Sequence, residues 1–143
     1  MTIATILAHK GGNVVCVGPG EDAVSVAATL SSHRIGAVMV QDASGKLLGI
    51  LSERDIVRAV GKEGTAALAM TARQLMTADI HSVTPETSIN AALGEMTDRR
   101  IRHLPVMAGG GLAGMVSIGD LVKARMDAIL EEAESLRAFV TAS

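Results

Sequence analysis

The chain has 143 residues, 13 basic against 15 acidic side chains, and a mean hydropathy of +0.36. That length suits one ordinary domain or two small ones, and an apolar share of 48% excludes an intrinsically disordered chain. A net charge of −2, with no Trp, no Tyr and one Phe, excludes a general nucleic-acid surface. Such a surface needs a basic excess to displace counterions and rings on which bases stack.

In chain order, residues 1–8 carry no basic segment and no long apolar stretch, so no signal peptide is expected. No later run reaches the ~18–20 apolar residues that cross a bilayer. The run Val14-Val15-Cys16-Val17 reads as a buried strand with Cys16 as a packed core thiol. As the sole cysteine it forms no internal disulfide and fits a reducing cytoplasm. A turn at Pro19 leads to an amphipathic helix over 22–33. Strands over 37–40 and 47–51 enclose Asp42-Ala43-Ser44-Gly45, a hairpin signature. A second helix starts near Ser52, and residues 61–73 form a linker in which Ala66 to Met70 favours helix. A strand over 81–83, a turn at Pro85 and a helix over 88–99 follow. Ile89, Ala92, Leu93 and Met96 recur there at helical spacing, with Met96 as core. Strands over 103–107 and 112–116 flank Gly109-Gly110-Gly111, and a long helix runs from Ile118 to about Ala138. Its Glu131-Glu132-Ala133-Glu134 segment reads as solvated, with a partner-binding face as the alternative.

This order is a duplication. Val17-Gly18-Pro19 aligns with Val83-Thr84-Pro85, and Ile35 and Ile101 each follow sixteen residues after the proline. Ala37 to Val40 aligns with His103 to Val106. Gly49-Ile50-Leu51-Ser52-Glu53-Arg54-Asp55 aligns with Gly114-Met115-Val116-Ser117-Ile118-Gly119-Asp120. The offset is 66 residues early and 65 late. One copy is too small to cover its own apolar faces, so two copies packed with pseudo-twofold symmetry and a cleft at their junction are expected.

The repeated Gly-h-h-Ser-x-x-Asp, with h apolar, has two readings. Ser52 and Ser117 are N-caps, with Asp55 and Asp120 completing capping boxes. Equally, a helix N-terminus seats a phosphate, and a carboxylate one turn in accepts from both hydroxyls of a ribose. The two readings are compatible. Lys10-Gly11-Gly12 reads as a plain surface loop, a phosphate contact being the alternative. Arg99 and Arg100 end a helix, where positive charge complements the dipole, and His33 and Arg34 occupy the matching place. Catalysis has no support. His9, His33, His81 and His103 lack metal-ligand spacing, and no nucleophile elbow or P-loop occurs.

These residues resemble the CBS domain, and the pair resembles a tandem CBS unit, or Bateman module, of α+β class. The match covers almost the whole chain and is most specific over Ile101 to Val106, Gly114 to Asp120 and Gly49 to Asp55. The resemblance implies repeat 1 over 1–60, a helical linker over 61–73, repeat 2 over 74–127 and a C-terminal helix extension over 128–143. It implies a free-standing, non-catalytic cytoplasmic sensor and a homodimer. Adenine nucleotides (AMP, ADP, ATP or NAD(H), with S-adenosylmethionine less favoured) bind between the repeats, and a regulated protein reads the occupancy. It assigns Asp120 to ribose, Ser117 with the N–H groups of Ile118 and Gly119 to phosphate, and Arg102 and His103 to phosphate oxygens, where neighbouring strand residues on opposite faces leave only one of the two in reach as the alternative. Thr84 and Ile80 line the adenine pocket. Ser52, Arg54 and Asp55 form the equivalent first site. The copies differ: Gly36-Ala37 replaces Arg102-His103, Met39 replaces a proline, and Glu53 opposes a phosphate, so AMP suits the second copy better. The rival readings are a scaffold with vestigial sites and a nucleic-acid-associated regulator.

Overall fold

The computed structural model describes residues 1–142 and divides into two compact units. The first unit is Val14–Ile80; the second joins Met1–Asn13 to the chain from His81 onward. The elements are α1 (Ile3–Lys10), β1 (Cys16–Val17), α2 (Ala23–His33), β2 (Ala37–Gln41), β3 (Leu47–Ser52) and α3 (Glu53–Glu63). A 3-10 helix (Gly64–Ala69) follows, then α4 (Ala72–Leu75), α5 (Ile89–Arg99), β4 (His103–Ala108), β5 (Gly111–Ser117) and α6 (Ile118–Ala142). The fold is α+β with the expected repeats. Ser143, the last residue of the expected extension, lies outside the described residues.

The helices start where a side chain can satisfy a free backbone donor. Asp22 accepts from the Ser25 N–H at 2.9 Å, and Ser88, its counterpart in the repeat, accepts from Ala91 at 3.0 Å. Such caps stabilise a helix by about 1 kcal/mol each. Both of these helices end on an arginine in the left-handed conformation, Arg34 (φ 53°) and Arg100 (φ 54°). The Arg100 backbone N–H closes its helix on the Met96 and Thr97 carbonyls. Arg99 is held by Glu95 at 2.7 Å and by His81 Nε2 at 3.1 Å.

In the first unit the sheet order is β1-β2-β3, with β1 parallel and β3 antiparallel to β2. Val17, Val26, Leu30, Val38, Val40 and Leu51 form its core. In the second unit β4 pairs antiparallel with β5, and Val83 bridges to Val106 in parallel. Val83, Met96, Leu104, Val106, Val116 and Leu121 form that core, with Met96 buried as expected. Both hairpins slip register at equivalent places, Val40/Gln41 and Val106/Met107.

The helix preceding each repeat folds onto the other repeat. Ile3 and Ile6 of α1 join the core of the second unit, and Ala72 and Leu75 of α4 join that of the first. Thr2 bridges to Ser88, and Thr71 bridges to Asp22. Residues 1–13, assigned to repeat 1 from sequence, thus pack with the second half. The motif glycines make room for these guests. A Cβ on Gly49 would come within 2.7 Å of the Thr77 carbonyl oxygen and 2.6 Å of Met76 Sδ. A Cβ on Gly114 would come within 2.7 Å of Leu7 Cδ2.

Several expectations need correction. The strand over 14–17 shortens to Cys16–Val17. As a two-residue edge strand it buries Val17 on one face and leaves Cys16 exposed on the other, so Cys16 is not a core thiol. Partial burial still pushes that thiol up from its ordinary range, away from thiolate reactivity. The strand over 81–83 reduces to the single Val83 bridge. Within the expected helical linker, Gly64–Ala69 form a 3-10 helix: Gly64 at φ 66° caps α3, and five residues separate that cap from Met70. Helix α1 has no counterpart in the sequence reading.

Candidate functional site

In each unit the hairpin's second strand delivers a serine to a helix start. Ser52 pairs with Ala37 across the first hairpin and Ser117 with His103 across the second. Both capping boxes form. Ser52 N–H donates to Asp55 Oδ2 at 2.9 Å, and Asp55 N–H to Ser52 Oγ at 3.3 Å. Ser117 N–H donates to Asp120 Oδ2 at 2.9 Å, and Asp120 N–H to Ser117 Oγ at 3.2 Å. The chain fills a further donor in each turn. Ile118 N–H donates to the Arg102 carbonyl at 2.8 Å, and Glu53 N–H to the Gly36 carbonyl at 2.9 Å. Of the N–H groups expected to meet a phosphate, that of Ile118 is therefore already bonded, and that of Gly119 remains the better-placed donor.

The capping box occupies one oxygen of each carboxylate, Oδ2, and both carboxylates are set back from bulk solvent. The side chain of Asp55 is 12% exposed and that of Asp120 27%. Their other neighbours differ. Lys10 Nζ lies 2.7 Å from Asp120 Oδ2 and donates to the Met115 carbonyl at 2.9 Å. Thr77 Oγ1 donates to Asp55 Oδ1 at 3.5 Å, and Arg58 Nη1 stands 3.7 Å from the same oxygen. Lys10 ends the guest helix of its unit, and Thr77 lies two residues beyond the end of the other. The two sites are thus built alike but charged differently.

Lys10 reaches Asp120 because its loop is not a plain surface loop. Gly11, at φ 89°, ends α1, and Gly12 presses so closely on β5 that a Cβ would lie 2.9 Å from the Ala113 carbonyl oxygen. Two glycines allow that approach. Sequence reasoning missed the pairing because Lys10 and Asp120 are 110 positions apart. The Lys-Gly-Gly tripeptide is the signal that pointed toward it. Thr77 and Arg58 were missed as well; Arg58 stands one turn beyond Asp55 and was recoverable from helical spacing.

The remaining expected residues are spread more widely. Arg54 and Ile118 sit exposed in the first turns of α3 and α6. Arg102 is exposed and the adjacent His103, opening β4, is half-buried, as expected for neighbours on opposite faces. Thr84 is exposed and lies in a turn closed by Thr87, whose Oγ1 accepts from the Thr84 N–H at 3.1 Å. Ile80 is half-buried and closes the first unit, whereas Thr84 belongs to the second. Asp120 and Lys10 line an open groove of ≈ 400 Å³ along α1 and α6, together with Thr5, His9 and Lys123. A second groove of ≈ 570 Å³, over Leu30, Arg34, Glu53 and Val57, does not include Ser52 or Asp55. Among the described residues no three His, Cys, Asp or Glu side chains stand close enough to hold a metal, and no helix is long and apolar enough to cross a membrane.

Burial raises the Asp120 carboxyl, but the hydrogen bond from Lys10 and that from the Ser117 N–H outweigh it and hold the group below the usual carboxylate range. A depressed folded pKa contributes stability above the unfolded value of about 3.9, and that stability is lost as pH falls through the folded value. Lys10→Met removes the main stabilising partner. Its melting temperature is expected to fall less steeply than that of the parent as pH drops below about 4, in parallel thermal scans. Identical slopes would show that the pair carries no linkage.

Comparison with known proteins gives a consistent result. The family described as CBS domain matches the chain over residues 7–62 and again over 72–127. A mitochondrial CBS domain-containing protein of Arabidopsis thaliana is 33% identical over 147 residues, spanning 97% of this chain and 71% of that protein. The crystal structure of a CBS-domain containing protein from Agrobacterium tumefaciens superposes with a TM-score of 0.86 at 42% identity, covering 87% of this chain and 99% of that one. The CBS domain pair of protein MJ0100, in complex with 5′-methylthioadenosine and S-adenosyl-L-methionine, has the same fold. Its TM-score is 0.78 at 20% identity, over 89% of this chain and 97% of that one.

Proposed function

The chain belongs to the CBS domain family, and we propose that it is a regulatory module whose serine-and-aspartate helix starts take the ribose and phosphate of an adenine nucleotide. The observation that carries this reading is the half-buried Asp120 carboxylate. Its Oδ2 serves the cap, while Oδ1 takes no part in it. A carboxylate held in place by its own helix start can accept from ribose hydroxyls without reorganising. The groove beside it is of ligand-holding size. Adenosine ligands in the MJ0100 domain pair support the ligand class.

AMP is the favoured ligand, with ADP, ATP and NAD(H) as the alternatives within the class. Lys10 suits a phosphate. When ribose hydroxyls engage Asp120, the ammonium can turn from the carboxylate to the phosphate, assisted by the Gly119 N–H and by Arg102. S-adenosylmethionine, a cation at its sulfur, gains nothing from that lysine. At Asp55 the nearby groups are Thr77 and the exposed Arg54 and Arg58, while Glu53 opposes an anion, so weaker or different occupancy is expected there. Binding biases the protein between two states by no more than the ligand's preference for one of them, and a partner protein reads that bias. The single cysteine supports a reducing compartment such as the cytoplasm.

Mass spectrometry of small molecules released from protein purified without denaturation tests the reading. An adenine nucleotide at near-stoichiometric level is expected. If none is released, and neither AMP, ATP nor NADH shifts the melting temperature, the sites are vestigial and the chain is an interaction scaffold.

A further inference from the structure

Repeat for repeat, one edge contact differs in kind between the two units. Ile50 on β3 closes its outer edge with backbone: its N–H donates to the Thr77 carbonyl at 3.0 Å, and the Thr77 N–H donates to its carbonyl at 2.8 Å. Met115 is the counterpart of Ile50 on β5. Its carbonyl accepts from Lys10 Nζ at 2.9 Å. An ammonium thus stands where the other copy uses a peptide group, and the same nitrogen donates to Asp120 Oδ2 at 2.7 Å. A peptide pair closes an edge without fixing a long side chain, and a partly exposed ion pair adds little stability. What the lysine adds at this place is charge.

That charge bears on what approaches Asp120. Its Oδ2 is taken by the cap and by Lys10, and Oδ1 takes part in neither. The two hydroxyls of a ribose are neutral and can reach Oδ1 whether or not the lysine is present. The 5′-phosphate of the same sugar carries about two negative charges at pH 7, and a bare carboxylate close by repels it. Lys10 offsets that carboxylate. Lys123, farther along the groove, is held by Asp127 at 3.2 Å, and Glu131 of the same groove is acidic. The first unit is arranged otherwise. Asp55 meets the neutral Thr77 hydroxyl at 3.5 Å and an Arg58 guanidinium, 76% exposed, at 3.7 Å.

Resting on the reading of Asp120 as the ribose acceptor, we infer that Lys10 is the specificity-determining residue of the second site: it makes a phosphate the condition of tight binding, so that the site takes adenosine phosphates and discriminates against the nucleoside. The hydroxyls and the phosphate belong to one sugar. A ligand seated on Asp120 therefore brings its phosphate within the swing of an ammonium already resting on that carboxylate. A charge-assisted bond to the phosphate then replaces the bond to Asp120 or Met115. The nucleoside offers the ammonium nothing, and it meets a carboxylate whose charge the lysine has already partly spent.

Titration calorimetry with AMP and with adenosine tests this on the full chain carrying Asp55→Asn, which silences the first site and keeps its cap. With Lys10 in place, AMP is expected to bind at least about tenfold more tightly than adenosine. Lys10→Met is expected to cut that ratio at least about fivefold through weaker AMP binding, with adenosine unchanged or tighter, and Lys10→Arg to keep most of it. Both ligands are measured on one protein, so a change in folded fraction cancels in the ratio. A ratio unchanged in Lys10→Met, as when a structural role weakens both ligands alike, overturns the role of Lys10. So does adenosine binding as tightly as AMP while Lys10 is present. Either result leaves ribose recognition by Asp120 standing, whereas binding of neither ligand with Lys10 in place overturns both.

Discussion

Asp120→Ala is expected to weaken AMP binding at least about tenfold, a loss of about 1.4 kcal/mol or more, in titration calorimetry. Hydrogen bonds to a charged group contribute about 1.5–3 kcal/mol each. Lys10 already partly neutralises the carboxylate through Oδ2, so the net loss falls below what two such bonds supply in full. The substitution also removes half of a capping box, which costs about 1 kcal/mol of fold stability. Asp120→Asn separates the two roles. Its amide oxygen can still accept from the Ser117 N–H, so the cap survives while the charge is lost. Weak binding in both variants, with a near-parental melting temperature in Asn, supports ribose recognition. Parental affinity in Asn together with a lowered melting temperature in Ala would reduce Asp120 to a cap.

Gly49→Ala should produce the largest loss of stability of any single methyl addition at the motif, roughly 1–3 kcal/mol, as for overpacked cores. The new carbon would lie 2.7 Å from the Thr77 carbonyl oxygen, a backbone atom fixed by its bond to the Ile50 N–H at 3.0 Å. Gly114→Ala meets only the end of the flexible Leu7 side chain at 2.7 Å, which can rotate away. It should cost less than half as much. Urea unfolding of both variants measures the difference, and equal losses would contradict the account of the motif glycine as a seat for the guest segment. A displaced Thr77 also carries its hydroxyl away from Asp55, so any ligand at the first site should weaken in Gly49→Ala while the second site is spared.

The duplication made most of this fold legible. Proline turns, strand pairs and the Ser-x-x-Asp helix starts recur in register, and each has a local cause in capping or turn chemistry. Asp22, Ser52 and Ser88 cap helices because their side chains reach donors only three residues away. What stayed hidden was long-range. Nothing near Ile3 says that α1 packs beside Val83 and Leu104 instead of the repeat it precedes, because its apolar face fits either core. The Lys10–Asp120 pair and the Thr77–Asp55 contact follow from that exchange and were hidden with it. Cys16 misled for a related reason: four apolar residues in a row suggest a strand buried on both faces, but an edge strand of two residues covers only one.

The most direct test of the account is a calorimetric comparison of AMP with 2′,3′-dideoxy-AMP, which keeps the base and phosphate and lacks only the hydroxyls assigned to Asp120. Measurable AMP binding, weakened at least about tenfold when both hydroxyls are gone, is the predicted result. Equal affinities for the two, or no binding of AMP at all, would contradict it.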